Sequence, residues 1–173
     1  GELWFLVRRW VVANMSDKLI IDNGSGNSKI GFGGEDAPRD VFSTTVGRPK
    51  PERLAECNGK ETWIGEPIMK SFLDFSWPYQ RGLIVNWDDM GMIWADSFEQ
   101  IEAGSTDILL TQPPSWTAED RERVVVAMFE KFNVRSVHLA QQPVLSLFAS
   151  GRTTGLVLES GHGVSHATAV DDA

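Results

Sequence analysis

Apolar positions recur along the chain at two spacings, and the change from one to the other marks out its elements. Short apolar runs ended by glycine, Leu19-Ile20-Ile21 and Leu156-Val157-Leu158, read as buried strands. Each run leads into an acid, one residue, Gly, one residue, Gly: Asp22-Asn23-Gly24-Ser25-Gly26 and Glu159-Ser160-Gly161-His162-Gly163. Second strands, Ile30 to Phe32 and Ala167 to Val170, complete a hairpin in each case, so one motif begins and ends the chain. Between them, Val41 to Val46 reads as a strand closed by Gly47, Pro49 and Pro51, and 52–59 as a polar loop. Thr62 to Gly65 reads as a short strand and Glu66 to Phe72 as a short helix, which together make a flap. Trp77 to Gly82 is a turn, and Leu83 to Val85 a short strand.

Helical spacing takes over at Asn86, a natural N-cap with Asp88 and Asp89 in the favoured first turn. Met90, Ile93, Trp94 and Phe98 then fall on one inward face. Ile108 to Leu110 is a buried strand stopped by Pro113 and Pro114. Thr117 caps a long helix that turns Val124, Val125, Met128, Phe129 and Phe132 to one side, with Glu119, Arg121, Glu122, Arg123 and Lys131 largely solvated opposite. Val134 to Ala140 is one more strand. Pro143 at the first helical position puts Gln142 at the cap of a last helix, with its amide free to point outwards, and Gly151 ends that helix. Strands alternating with helices predict an α/β domain of mixed topology.

At 173 residues the chain accommodates one domain, or one domain and a piece of another, and 42% apolar with 23% charged residues is a globular composition. A net charge of −8 argues against a general nucleic-acid or anionic-membrane partner. An anionic ligand must therefore be held by local N–H groups and Mg²⁺. Cys57 is a lone cysteine, so no internal disulfide forms, which fits a reducing compartment. Residues 1–14 are apolar and tryptophan-rich around Arg8 and Arg9, too short to span a membrane and wrongly charged for a secretory signal. With Met15-Ser16-Asp17 reading as a start, 1–14 is expected to be an extension of unclear origin, the alternative being a short partner-binding segment.

The two hairpins carry the candidate chemistry. Their glycines are expected to take positive φ and to bring bare backbone N–H groups to a ligand, a concave arrangement that binds anions. The acid at each strand end suits Mg²⁺, which takes few carboxylates and keeps its waters. The plainer alternative is that a Gly-rich hairpin turn is only a turn.

A longer set of residues resembles actin. It comprises the first hairpin with Gly33-Gly34-Glu35-Asp36-Ala37-Pro38-Arg39, then Val46-Gly47-Arg48-Pro49, Asn86-Trp87-Asp88-Asp89-Met90, Leu109-Leu110-Thr111, Met128 to Val134, and Leu145 to Gly155, in that order. The resemblance runs from Lys18 to about Val170 and implies an actin-like ATPase (ribonuclease H-like) fold: a mixed sheet with flanking helices, the first lobe plus the start of the second. It implies that 15–43 and 78–149 form a first subdomain, 44–77 a flap-like second, and 150–173 the start of a third. It also implies an Mg-ATP-binding filament subunit, cytoplasmic and cytoskeletal, whose partners are actin-like subunits and actin-binding proteins. By position, Gly24, Ser25, Gly26, Asn27 and Lys29 resemble the first phosphate loop, and Ser160, Gly161, His162, Gly163 and Val164 the second. Asp22 and Glu159 would hold Mg²⁺ through waters, and Gln142 and His166 match the residues that position and activate the attacking water.

Several residues depart from that pattern. Glu159 stands where actin has the shorter aspartate, His162 replaces another aspartate, Pro143 follows Gln142 at a hinge, and Arg81 replaces a histidine. Actin would continue about as long again beyond Ala173, into the adenine and ribose pocket. The expectation is a full-length parent that hydrolyses ATP, with this chain a weakly competent half. The alternatives are a non-catalytic actin-like interaction module or an inert fragment.

Overall fold

Strand β1, Leu19–Asn23, is buried along its whole length, so its apolar run needs partners on both edges and cover on both faces. The computed structural model describes residues 18–65, 70–101 and 106–172 and supplies them. In chain order follow β2 (Asn27–Phe32), β3 (Asp40–Ser43), β4 (Val46–Pro49), a 3₁₀ helix (Pro51–Cys57), β5 (Trp63–Ile64), β6 (Leu73–Ser76), β7 (Tyr79–Gln80) and β8 (Leu83–Ile84). Then come α1 (Trp87–Gln100), β9 (Asp107–Gln112), α2 (Ala118–Phe132), β10 (Ser136–Gln141), α3 (Gln142–Ala149), β11 (Gly155–Ser160) and β12 (Ser165–Val170).

The main sheet has the order β10-β9-β1-β2-β3. β1, β9 and β10 are parallel, with Leu19 opposite Ile108 and Ala140 opposite Thr111, while β1-β2-β3 is antiparallel. This is a mixed α/β sheet with flanking helices, as the alternation of periods predicted. Parallel neighbours require crossovers, which α1 and α2 provide. The core joins Leu19, Ile21 and Ile30 of the sheet to Met90, Ile93 and Trp94 of α1 and to Val124 and Met128 of α2.

Both long helices start at the predicted caps. The Asn86 side chain accepts the Asp89 amide at 3.1 Å, and Thr117 forms a reciprocal capping box with Asp120. Phe129, expected inward, is 44% exposed. At about 100° per residue it lies roughly 140° round from Val124, off the stripe centred between Val124 and Met128. The cap of α3 is Gln141 rather than Gln142, because β10 runs directly into the helix and leaves Pro143 buried as its second residue.

The flap is a three-stranded sheet, β5-β4-β6, over a small core of Cys57, Trp63 and Leu73. The expected single strand over 41–46 is two, β3 and β4, so Gly47 to Pro49 pair rather than close it. The expected loop over 52–59 is largely the 3₁₀ helix, started by Pro51 and stopped by the left-handed Asn58 and Gly59. Of the helix expected over 66–72, residues 66–69 lie outside the described residues, and 70–72 form a turn into β6. Arg48 of β4 grips the buried Asp89 of α1 with both terminal guanidinium nitrogens, which ties the flap to the core. Burial pushes the Asp89 carboxyl up, but Arg48 and Ser76 outweigh it and hold it below the ordinary aspartate range.

β11 and β12 form a separate antiparallel pair. Its inner face meets α3, and Leu156 and Leu158 on the outer face are 75% and 77% exposed. Residues 1–14 lie outside the described residues. No described helix is long and apolar enough to cross a membrane.

Candidate functional site

The two acid-Gly-Gly segments form the same turn. Gly24 N donates to Asn27 O at 3.0 Å, and Gly161 N donates to Val164 O at 2.9 Å. None of the four turn glycines takes the expected left-handed φ. Space is the reason for glycine at three of them. A Cβ on Gly24 would lie 2.8 Å from Asn27 O, one on Gly26 3.0 Å from His162 Cγ, and one on Gly163 2.5 Å from Ser25 Oγ. The turns therefore touch each other across the cleft. The backbone amides of Ser25, Gly26, His162 and Gly163 carry no hydrogen bond to another described residue.

The turns border a cavity of about 620 Å³. Every site residue expected from the sequence lines it: Asp22, Gly24, Ser25, Gly26, Asn27 and Lys29 on one side, Glu159, Ser160, Gly161, His162, Gly163, Val164 and His166 on the other, with Gln142 between. Asp22 sits at the buried end of β1. Its Oδ1 accepts from Thr111 Oγ1 at 2.7 Å and Gln142 Nε2 at 3.4 Å, and its Oδ2 accepts from Lys29 Nζ at 2.9 Å. Gln142 Nε2 also reaches Thr111 Oγ1 at 3.3 Å, so its amide points in at Asp22 rather than outwards. Position explains this: as the first residue of α3, Gln142 follows the end of β10, which is hydrogen-bonded to β9 and Thr111. Opposite, Glu159 and His166 face each other across β11 and β12. Glu159 Oε1 accepts from Ser146 Oγ at 2.7 Å, and its buried Oε2 has no hydrogen-bond partner.

Below the first turn runs a buried polar chain that the sequence did not reveal. Trp94 Nε1 donates to Asn23 Oδ1 (2.9 Å), and Asn23 Nδ2 donates to Ser28 Oγ (3.0 Å). Ser28 and Thr44 hydroxyls are 3.0 Å apart, and Thr44 donates to the Gly24 carbonyl at 2.7 Å. Thr44 has one hydroxyl hydrogen and Gly24 takes it, so Ser28 must be the donor to Thr44. The chain thus runs in one direction from the helix core to the turn. Thr111, Ser146 and Tyr79 gave no sign of a place in the site, since a single polar residue inside a strand, helix or turn carries no periodic signal. Among the described residues no group of three His, Cys, Asp or Glu side chains is placed to hold a metal directly.

Residues 14–173 match the family model described as Actin. The chain belongs to the actin family. It is 42% identical over 159 residues to an actin-like protein of Neurospora crassa, covering 88% of this chain and 42% of that protein. It is 40% identical over 162 residues to actin-related protein 2 of Arabidopsis thaliana and of Oryza sativa subsp. indica, covering 89% of this chain and 42% of each. This actin-family chain thus spans less than half the length of the curated relatives it matches.

Proposed function

We propose that the cavity holds the phosphates of Mg-ATP. In the full-length parent the protein is an actin-like subunit that hydrolyses ATP as it assembles with like subunits and actin-binding proteins at the cytoplasmic cytoskeleton. One observation carries the reading: two turns with the same internal hydrogen bond face each other and leave four amides without a described partner, which complements a polyphosphate. Lys29 supplies the nearby positive charge, reaching the phosphates by exchanging its Asp22 partner for them. Glu159 Oε2, buried and unpaired, together with the Asp22 carboxylate fits a hydrated Mg²⁺ held through waters. When bound, Mg²⁺ supplies charge that offsets the phosphate oxygens.

The hydrolytic step assigns Gln142 and His166. With Nε2 directed at Asp22 and Thr111, the Gln142 Oε1 is left to accept a proton of the attacking water and orient it. His166, lining the same cavity, takes up that proton as the water oxygen bonds to the terminal phosphorus and the bond to the ADP oxygen breaks. A second reading, binding without turnover, is favoured by Glu159, whose extra methylene and Ser146 hydrogen bond displace the carboxylate. Phosphate release from a form extended to full length separates them. Gln142→Ala should slow release by about 100-fold; an unchanged rate removes Gln142 from the mechanism, and binding with no release at all establishes the second reading.

A further inference from the structure

Tyr79 is the single tyrosine of the protein, and it is 3% exposed. It stands in β7 opposite Ile84 of β8, held by the two-residue turn Arg81–Gly82, in which both residues have positive φ (52° and 79°). It packs in the main core, yet it also lines the 620 Å³ cavity and a second hollow of about 310 Å³ bordered by Ser25, Arg81, His162 and Gly163. It therefore forms part of the partition where the two turns meet.

The Tyr79 hydroxyl is buried and has no hydrogen-bond partner among the described residues. Trp116 lies beside it, but its indole N–H goes to the Gly82 carbonyl at 2.9 Å. Native structures rarely leave a buried hydroxyl unpaired, and because Tyr79 lines the cavity, a ligand there is the partner that the described residues do not supply. Burial, and after it the charge of Asp22, push the phenol well above its ordinary value, so it stays an O–H donor at neutral pH. A neutral donor on a residue that lines the same cavity as the unpaired amides complements an oxyanion.

We propose that the Tyr79 hydroxyl donates a hydrogen bond to an oxyanion seated between the Gly24–Asn27 and Gly161–Val164 turns, and so positions the phosphate end of the ligand. This rests on the phosphate reading of the cavity and adds to it a positioning residue from outside both turns. Because Tyr79 is the only tyrosine, 3-fluorotyrosine labelling gives one ¹⁹F resonance that reports on it alone. Titrating the 173-residue chain with Mg-ATP or Mg-pyrophosphate should move that resonance, and adenosine should not. Tyr79→Phe should weaken both phosphate ligands about three- to tenfold, the worth of one hydrogen bond. Without ligand it should melt no lower than the unsubstituted protein, since it removes an unpaired buried group. Ligands that bind without moving the resonance, and as tightly to Tyr79→Phe, overturn the role of Tyr79 and leave the phosphate reading standing. Failure of both ligands to bind the unsubstituted chain overturns the two together.

Discussion

The contact between Gly163 and Ser25 fixes how closely the two turns can meet. Gly163→Ala places a methyl 2.5 Å from Ser25 Oγ, so the turns must move apart. The expected result is phosphate binding weakened about tenfold or more and a stability loss of about 1 to 2 kcal/mol, read by pyrophosphate titration and urea unfolding. The polar chain below the first turn makes a separate prediction. Thr44→Val removes the acceptor of the Ser28 hydrogen, which is buried, and the donor to the Gly24 carbonyl, which is partly buried, and should cost about 2 kcal/mol in urea unfolding. These two positions also mark how much of the site was legible in the sequence. Gly24, Gly26, Gly161 and Gly163 stood out by spacing, but at Gly24, Gly26 and Gly163 the reason that holds is close approach, not φ, and at Gly161 neither applies. Thr44 did not stand out, because a threonine near a strand end is ordinary until folding brings it 20 residues back onto Gly24.

Among the elements, those with a local cause were readable. The caps at Asn86 and Thr117 are chemical signals that need no tertiary partner, and both helices begin where they predict. Thr117→Ala should lower stability by about 1 kcal/mol and leave phosphate binding unchanged, since α2 contributes nothing to the cavity wall. The split of 41–46 into two strands, and the 3₁₀ helix over 51–57, depend on pairing and packing in the flap, which local pattern does not encode. The attachment of that flap rests on a distant pair, Arg48 and Asp89. Asp89 is held below its ordinary pKa, so the stability it contributes is fully present above about pH 4 and is lost as pH falls through the lower folded value. Arg48→Met should therefore cost about 2 kcal/mol at pH 7, and its gap from the unsubstituted protein should narrow below pH 4, as urea midpoints at the two pH values will show.

In the molecule as a whole, the two hairpins are alike in turn and unlike in support. The first is built into a five-stranded sheet whose central strand is fully buried. Among the described residues the second is a pair of its own, backed by α3 on one side, with Leu156 and Leu158 exposed on the other. Two-stranded pairs are marginal alone. Amides of β11 and β12 should therefore exchange with deuterium well before those of β1 and β9, and Mg-ATP should slow them, because the ligand bridges the turns. The sequence made the two copies visible and the acid of each; it did not show that only one rests on a sheet, since strand order is a property of the assembled fold.

Whether phosphates are held between these turns is read by equilibrium titration of the 173-residue chain with Mg-ATP, beside Gly163→Ala. Binding should be saturable but weak, competed away by pyrophosphate, and weakened about tenfold or more by Gly163→Ala while circular dichroism stays unchanged. Absence of binding, or equal affinity in the two proteins, would contradict a phosphate site between the turns.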